Sequence, residues 1–165
     1  RVQIEVDCDN GADLLRQLDQ GKLDLVIAAH PTQNNAGEFI RREPLHWVAA
    51  ANFYANPDEP VPLVMYPNGC VCRNIALDAL NDAEKPWRIA YTTRSIAVIH
   101  NAVAAGSGVG VSETSTIQPG FEILDGRDGF PVLQDIVISL HRREGQLTPA
   151  VTLAADYIGQ GLKAS

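Results

Sequence analysis

The first thirty residues alternate between apolar and polar positions in a way that predicts three elements. Val2, Ile4 and Val6 alternate with polar side chains, which is the pattern of a strand with one apolar face. A segment with leucines along one helical face follows and ends at Gly21. The run 23–29 is almost entirely apolar, as expected of a strand buried on both faces of a parallel sheet. Together these elements predict a right-handed β-α-β unit.

The remaining chain carries the same two kinds of signal, separated by turn residues. Prolines cluster between 57 and 62 and suggest a boundary near residue 51. The final helix is marked by Thr148 as its N-cap and Pro149 as its first residue. The predicted strands are 39–40, 45–51, 61–65, 87–91, 109–111, 121–124 and 136–140, and the predicted helices are 72–83, 96–105 and the segment from Pro149 onward.

The last strand and helix have no predicted partner after them in the chain. The most economical arrangement returns them to the first part of the chain, where they complete its sheet. We therefore predict an α/β fold of two lobes, each a Rossmann-like mixed sheet flanked by helices. One lobe is residues 1–51 with 132–165 and the other is residues 52–131. A cleft between two lobes is a common place for a small-molecule site.

Composition and charge narrow the possible functions. The net charge is −7 with a pI of about 4.9, and Lys and Arg are not clustered, so this chain is not expected to bind nucleic acid directly. No apolar run approaches the roughly 20 residues of a membrane span, and no secretory signal is evident. Cys8, Cys70 and Cys72 lack the spacing of a disulfide framework or a metal site. We expect reduced thiols in a cytoplasmic protein without a metal or cofactor.

The sequence contains no recognisable catalytic motif. Ser107 lies between two glycines, but the surrounding residues do not form the Gly-x-Ser-x-Gly pattern. Cys70 would have a histidine base only if folding brought His30 or His46 beside it. The pattern therefore favours a sensing or binding protein over an enzyme, with a hydrolase or transferase that uses Cys70 as a third hypothesis.

Polar residues lie in the loops that connect predicted strands to the following helices, and these residues are the candidate ligand contacts. Asn68, Gly69 and Cys70 precede one helix, while Thr93 and Ser95 precede the next. Free N–H groups and the helix dipole at such positions favour an anion or a polar oxygen, although ordinary helix capping is an alternative for the first loop and for Ser95. Helix capping does not explain Thr93 as readily, so Thr93 is the stronger candidate for a ligand contact.

Three further residues lie where the predicted strands end. His30 follows a buried strand at the expected edge of the cleft, or is an exposed loop histidine. Ser112 and Glu113 end a later strand and are candidates for the rim of the cleft. A small carboxylate or another anion is the predicted ligand, because neither helix-start loop contains an Asp or Glu to repel it.

Several motifs in order give the chain a resemblance to the effector-binding domain of LysR-type transcriptional regulators. They cover nearly the whole chain, and their order and spacing are more specific than any one of them. The motifs are Gly21-x-Leu23-Asp24-Leu25-x-Ile27, Glu43-Pro44-Leu45-x-Trp47-Val48, Cys72-Arg73-x-x-Ala76-Leu77-x-Ala79-Leu80, Ala102-Val103-x-Ala105-Gly106-x-Gly108-Val109-x-Val111 and Leu140-His141-Arg142.

The resemblance implies a two-lobed fold like that of type 2 periplasmic binding proteins, with a small-molecule effector between the lobes. It also implies that the loop at Asn68–Cys70 contacts the effector and that Trp47 faces it; a core tryptophan is the alternative. A winged helix-turn-helix, which supplies DNA binding, and the first strand and helix of the first lobe are expected before residue 1. The full regulator is expected to be a homodimer or tetramer. A solute-binding protein of a transporter is the alternative function.

Overall fold

The computed structural model describes residues 3–34 and 36–164. The chain divides into two compact units, Arg1–Arg42 with Ile136–Ser165, and Glu43–Asp135. The divisions differ from the predicted 51/52 and 131/132, because the strand 45–50 pairs with other strands of the second unit. In chain order the elements are α1 Gly11–Asp19, β1 Leu25–Pro31, β2 Glu38–Glu43, β3 Leu45–Ala50, β4 Val61–Met65, α2 Val71–Asp82, β5 Trp87–Thr92, α3 Ile96–Ala104, β6 Gly110–Glu113, β7 Phe121–Leu124, β8 Ile136–Arg142 and α4 Pro149–Ala164.

The first unit is built from both ends of the chain. Its three-stranded sheet has the order β1-β8-β2, and β1 runs antiparallel to β8 from Leu25 opposite Arg142 to Pro31 opposite Ile136. This pairing confirms that the C-terminal strand returns to the sheet of the first strands. The helix α4 packs on that sheet, where its Ala155 belongs to a buried cluster with strand residues.

One face of β1 is buried and the other is only partly covered, which corrects the prediction of a strand buried on both faces. Val26 and Ala28 pack with Leu18 of α1, whereas Ile27 is 42% exposed. The opposite face is covered by α4 at Leu140 and Ile40 and partly at Leu25, but β1 is an outermost strand of the described sheet, so Ile27 is less covered. Asn10 is the N-cap of the helix α1, and its side chain accepts a hydrogen bond from the Asp13 N–H group.

The predicted first strand does not form in the described residues. Val2 lies outside them, and residues 3–10 adopt neither helix nor strand. Ile4 is 63% exposed and Val6 is 76% exposed. Alternation alone does not make a strand, because the backbone N–H and C=O groups also need a neighbouring strand. The predicted β-α-β unit is therefore reduced to α1 and β1 within the described chain.

The second unit contains one antiparallel sheet and one parallel pair of strands. The antiparallel sheet has the order β6-β3-β7, and β4 pairs in parallel with β5. Leu63 of β4 also forms a parallel bridge with Val109, just before β6. Consequently β4, β5 and β6 run in the same direction, and their carboxyl ends lie at one edge.

The core of the second unit lies between these strands and α3. Val48, Val64, Ile99 and Val103 form one buried cluster. Ile96, the first residue of α3, is 42% exposed and does not belong to this cluster. Among the described residues, no helix is long and apolar enough to cross a membrane.

Candidate functional site

Two loops of the second unit meet where β4 and β5 end. Met65 is the register partner of Thr92, and the N–H group of Thr93 donates to the Met65 carbonyl oxygen over 3.2 Å. Each strand then leads into a helix, β4 into α2 and β5 into α3. The structure thus brings Asn68–Cys70 and Thr93–Ser95 to the same edge of the parallel strands, as two neighbouring helix starts.

The loop before α2 is shaped by a tight turn. Gly69 has a φ of 93°, a conformation that favours glycine, and the Cys70 N–H group lies 3.4 Å from the Pro67 carbonyl oxygen. Arg73 holds the loop from the helix side by donating to the Tyr66 carbonyl oxygen over 2.8 Å. Cys70 becomes the N-cap of α2 without any side-chain capping bond, and Asn68 is exposed beside it.

The loop before α3 uses both of its predicted hydroxyls in local structure. The Thr93 hydroxyl oxygen accepts a hydrogen bond from the Ser95 N–H group at 3.2 Å, and the Ser95 hydroxyl oxygen accepts one from the Val98 N–H group at 3.4 Å. The view that Thr93 has little structural role is therefore wrong. Each hydroxyl still carries its own proton, which it could donate to a ligand oxygen.

Glu113 is a member of this site that the sequence argument underrated. It ends β6, and one of its carboxylate oxygens lies 3.9 Å from the Cys72 Sγ atom, while Thr116 donates to the other over 3.0 Å. The parallel bridge between Leu63 and Val109 brings it there, and no local motif signals such a bridge. Neither helix-start loop contains an acidic residue, as the sequence shows, but this carboxylate from β6 lies beside the start of α2.

The titratable groups around α2 perturb one another strongly. A hydrogen bond from the Cys72 thiol, helped by the backbone N–H groups of Arg73 and Cys72, lowers the pKa of Cys70 to about 6, against the opposing effects of burial and Glu113. The pKa of Cys72 is raised by its hydrogen bond to Cys70 and by burial. Burial raises the pKa of Tyr66 to about 12, with added repulsion from Glu113 and the two thiols. Of the two thiols, Cys70 is thus the one that ionises more readily.

His30 lies in the first unit and is a strand residue, not an exposed loop residue. It is only 6% exposed, and its Nε2 atom lies 2.8 Å from the Nε2 atom of His141. Asn34 reaches its other ring nitrogen at 3.4 Å. Burial lowers the pKa of His30, and burial together with the charge of His30 lowers the pKa of His141. His30 as an effector contact stays a prediction.

Trp47 is a core residue, so the expectation that it faces the effector is not supported. Its side chain is 2% exposed, and its indole N–H group donates to the Pro131 carbonyl oxygen over 2.8 Å. Its ring also packs against Phe130, with ring centroids 5.5 Å apart. A tryptophan with its polar atom already paired and its surface covered has no face left for a ligand.

The hypothesis of a cysteine–histidine catalytic pair gains no support from these contacts. His46 bonds through its Nε2 atom to the Thr114 hydroxyl at 2.8 Å, and His30 bonds to His141. The thiol partner of Cys70 is Cys72, whose raised pKa makes it a poor general base. Within residues 3–34 and 36–164, no three His, Cys, Asp or Glu side chains are grouped so that they could hold a metal ion.

Comparison with solved structures shows that other proteins share this fold. The apo regulatory domain of HypT from Salmonella typhimurium superposes with a TM-score of 0.79 at 15% identity, covering 97% of this chain and 82% of that one. The effector-binding domain of QuiR in complex with shikimate superposes with a TM-score of 0.66 at 13% identity, covering 94% of this chain and 79% of that one.

The family model described as the LysR substrate binding domain matches residues 1–163, and the chain belongs to that family. Among curated proteins, the HTH-type transcriptional regulator PecT of Dickeya dadantii (strain 3937) is 30% identical over 159 residues, which are 94% of this chain and 50% of PecT. The chain spans about half the length of the curated relatives it matches. These relatives are transcriptional regulators, which favours the sensing hypothesis over a transporter's binding protein.

Proposed function

We propose that this chain is the effector-sensing part of a LysR-type transcriptional regulator whose DNA-binding part is a separate winged helix-turn-helix. The family membership and the half-length match to PecT support this proposal. The net charge of −7 fits a part that does not touch DNA itself. In the same proposal the regulator is cytoplasmic, acts as a homodimer or tetramer, and responds to its effector by a shift between two conformations, without catalysis.

The effector is proposed to contact the second unit at the carboxyl ends of β4 and β5. The observation that supports this site is the hydrogen bond from the Thr93 N–H group to the Met65 carbonyl oxygen, which joins the two helix-start loops. In α/β folds, ligands commonly bind where parallel strands end and helices begin. The loop at Asn68–Cys70 and the side chain of Thr93 are the proposed contacts. That the other lobe closes over this site stays a prediction.

The chemistry of the two loops points to a hydroxylated carboxylate. The start of α3 offers N–H groups and the hydroxyls of Thr93 and Ser95, which suit a carboxylate. The start of α2 lies beside the Glu113 carboxylate, which repels an anion but accepts a hydrogen bond from a ligand hydroxyl. QuiR, which shares the fold, is in complex with shikimate, a carboxylic acid with several hydroxyls.

A three-compound titration calorimetry experiment tests this chemistry. Shikimate carries both the carboxylate and the hydroxyls, its methyl ester lacks the charge, and benzoate lacks the hydroxyls. We expect shikimate to bind more tightly than either analogue. Thr93→Val should weaken shikimate binding by roughly 1.5–3 kcal/mol if the hydroxyl donates to a charged oxygen, or about 10-fold to 150-fold in Kd. The full regulator is the appropriate sample, because this chain spans about half the length of the curated relatives it matches.

The matched control is Thr152→Val, which removes a threonine hydroxyl from α4 in the first unit. It should leave shikimate binding unchanged. Equal losses in both variants would mean that Thr93 acts only through stability. Tighter binding of the ester than of the acid would reverse the charge assignment, and no binding by any of the three compounds would reject this ligand chemistry.

A further inference from the structure

Two histidines of the first unit meet over the middle of its sheet. Ala28 of β1 and Ser139 of β8 are register partners, and His30 and His141 lie two residues beyond them on opposite sides. Residues two apart on a strand point to the same face, so both imidazoles rise from one face of the sheet. The small side chains of Ala28 and Ser139 leave the space above them to the two rings, whose centroids are 4.9 Å apart.

Each imidazole presents its Nε2 atom to the other and is supported from its outer side. The two Nε2 atoms lie 2.8 Å apart, so one donates a hydrogen bond and the other accepts it. The Asn34 amide lies 3.4 Å from the Nδ1 atom of His30. At Gly37 an added Cβ atom would lie 2.7 Å from the Cε1 atom of His141, so only glycine lets the backbone pass this close to the ring. The pair is thus assembled and held by three separate segments of the first unit.

The spacing of the two nitrogens matches that of neighbouring ligands around a metal ion. Metal–imidazole bonds are about 2.0 Å long, so two nitrogens at right angles around one ion lie about 2.8 Å apart, whereas a tetrahedral ion separates them by about 3.3 Å. The observed distance between the Nε2 atoms is the right-angle value. A square-planar or octahedral ion therefore fits the pair after rotation of the rings, whereas a tetrahedral zinc ion would have to push the nitrogens apart.

We propose that His30 and His141 form a binding site for a divalent transition-metal ion of the nickel and copper class, with solvent at the remaining positions. Imidazole suits both ions, and both accept right-angle coordination. His141 is only partly buried, which leaves solvent access to the site, and the negative charge of Asp19 acts on His141 and offsets part of the charge of the ion. The proposal does not rest on the proposed effector, whose contacts are proposed in the second unit.

The ion takes the place of the proton that the two rings share. The ring that carried its proton on Nε2 becomes the tautomer with the proton on Nδ1, so both Nε2 lone pairs are free to bind the ion. In His30 the Nδ1 atom faces the Asn34 amide, whose oxygen accepts the new N–H bond once the amide is turned over. Metal-binding histidines commonly donate their other ring N–H group in this way, which fixes the tautomer and the ring orientation.

The test is a titration of this chain, prepared without a polyhistidine tag, with nickel chloride in a buffer that does not bind metals. The chain has four histidines, His30, His46, His100 and His141, so the imidazole Cε1–H proton signals form a small set in the NMR spectrum. Octahedral Ni²⁺ is paramagnetic and broadens nearby signals. We expect the His30 and His141 signals to broaden at the lowest nickel concentrations while those of His46 and His100 stay sharp. Magnesium, which requires oxygen ligands, should change none of them.

Variants measure the contribution of each ring by titration calorimetry. Two imidazoles fixed on one sheet act as linked ligands, so His141→Gln or His30→Gln should weaken nickel binding by about 100-fold or more in Kd. The matched control is His100→Gln, which removes an imidazole of the second unit and should leave the Kd unchanged. The NMR titration of the wild-type chain provides the test even if a variant at the pair fails to fold.

Three outcomes would overturn the proposal. The first is a nickel titration in which the His30 and His141 signals stay sharp, and the second is equal broadening of all four histidines. The third is a pair of folded variants, His30→Gln and His141→Gln, that bind nickel as tightly as the wild type. None of these measurements contains an effector, so a failure of the proposed effector chemistry would leave them unchanged.

Discussion

Gly108→Ala should destabilise the second unit strongly, because the backbone of β4 passes directly beside this glycine. A Cβ atom at position 108 would lie 2.5 Å from the Pro62 carbonyl oxygen and 3.0 Å from its carbonyl carbon. Ordinary contact begins at 3.4 Å, so the two segments would have to separate by about 0.9 Å. The same carbonyl accepts a hydrogen bond from the Val109 N–H group at 2.8 Å, so relief of the clash strains that bond.

The magnitude follows from these two effects. Overpacking costs roughly 1–3 kcal/mol, and a weakened backbone hydrogen bond costs about 0.5–1.5 kcal/mol, so the expected loss in the free energy of unfolding is about 2–4 kcal/mol. With a urea dependence of about 2 kcal/mol per molar, the unfolding midpoint should fall by about 1–2 M.

Tryptophan fluorescence during urea unfolding is the appropriate assay. Trp47 and Trp87 both belong to the second unit, so the signal reports that unit. The control is Gly126→Ala, where an added Cβ atom meets nothing within 4 Å, and we expect its midpoint to stay within experimental error of the wild type. If both variants unfold at the same urea concentration, the close approach of Gly108 to Pro62 is not a feature of the protein in solution.

Three further predictions address other parts of the chain. The pKa values of His30 and His141 are lowered in the folded chain, so the unfolded chain takes up protons first as the pH falls below about 6.5. The urea midpoint, measured by circular dichroism, should therefore fall between pH 7 and pH 5.5. The fall should be smaller in His141→Gln. Ser95→Ala removes the N-cap of α3 and should lower the free energy of unfolding by about 1 kcal/mol, as measured by fluorescence; Ser107→Ala is the control, outside any helix. The isolated chain should not retard DNA in a mobility-shift assay at about 0.1 M salt, and a sequence-selective shift would contradict the assignment of DNA binding to another domain.

Elements whose signals are local could be predicted well from the sequence. The strand Val61–Met65 was predicted with its observed bounds, and the helix at Pro149 begins where its N-cap pair places it. Periodicity and capping act within a few residues, so one sequence suffices to recognise them. The return of Ile136–Arg142 to the first sheet was also predicted, because an unpartnered strand leaves few acceptable arrangements.

Features that depend on distant residues could not be predicted in the same way. The alternating segment 3–7 has the pattern of a strand, but whether it forms one depends on a neighbouring strand. Trp47 lies in the core because Phe130 and Pro131 cover it from more than eighty residues away. Glu113 reaches Cys72 only through the pairing of β4 with the residue before β6. The resemblance to a family indicated where to expect the proposed site, whereas the carboxylate of Glu113 beside it is visible only in the fold.

The contribution of both chain ends to the first unit has a consequence for the order of folding during synthesis. The second unit is one continuous segment, Glu43–Asp135, so all of its residues emerge from the ribosome before β8 does. The sheet of the first unit is incomplete until β8 arrives, because β8 is its central strand, paired with β1 on one side and β2 on the other. Domains generally fold as units during translation, in the order in which they emerge. The second unit should therefore fold before the N-terminal part of the first unit, whose β1 has no partner strand until β8 emerges.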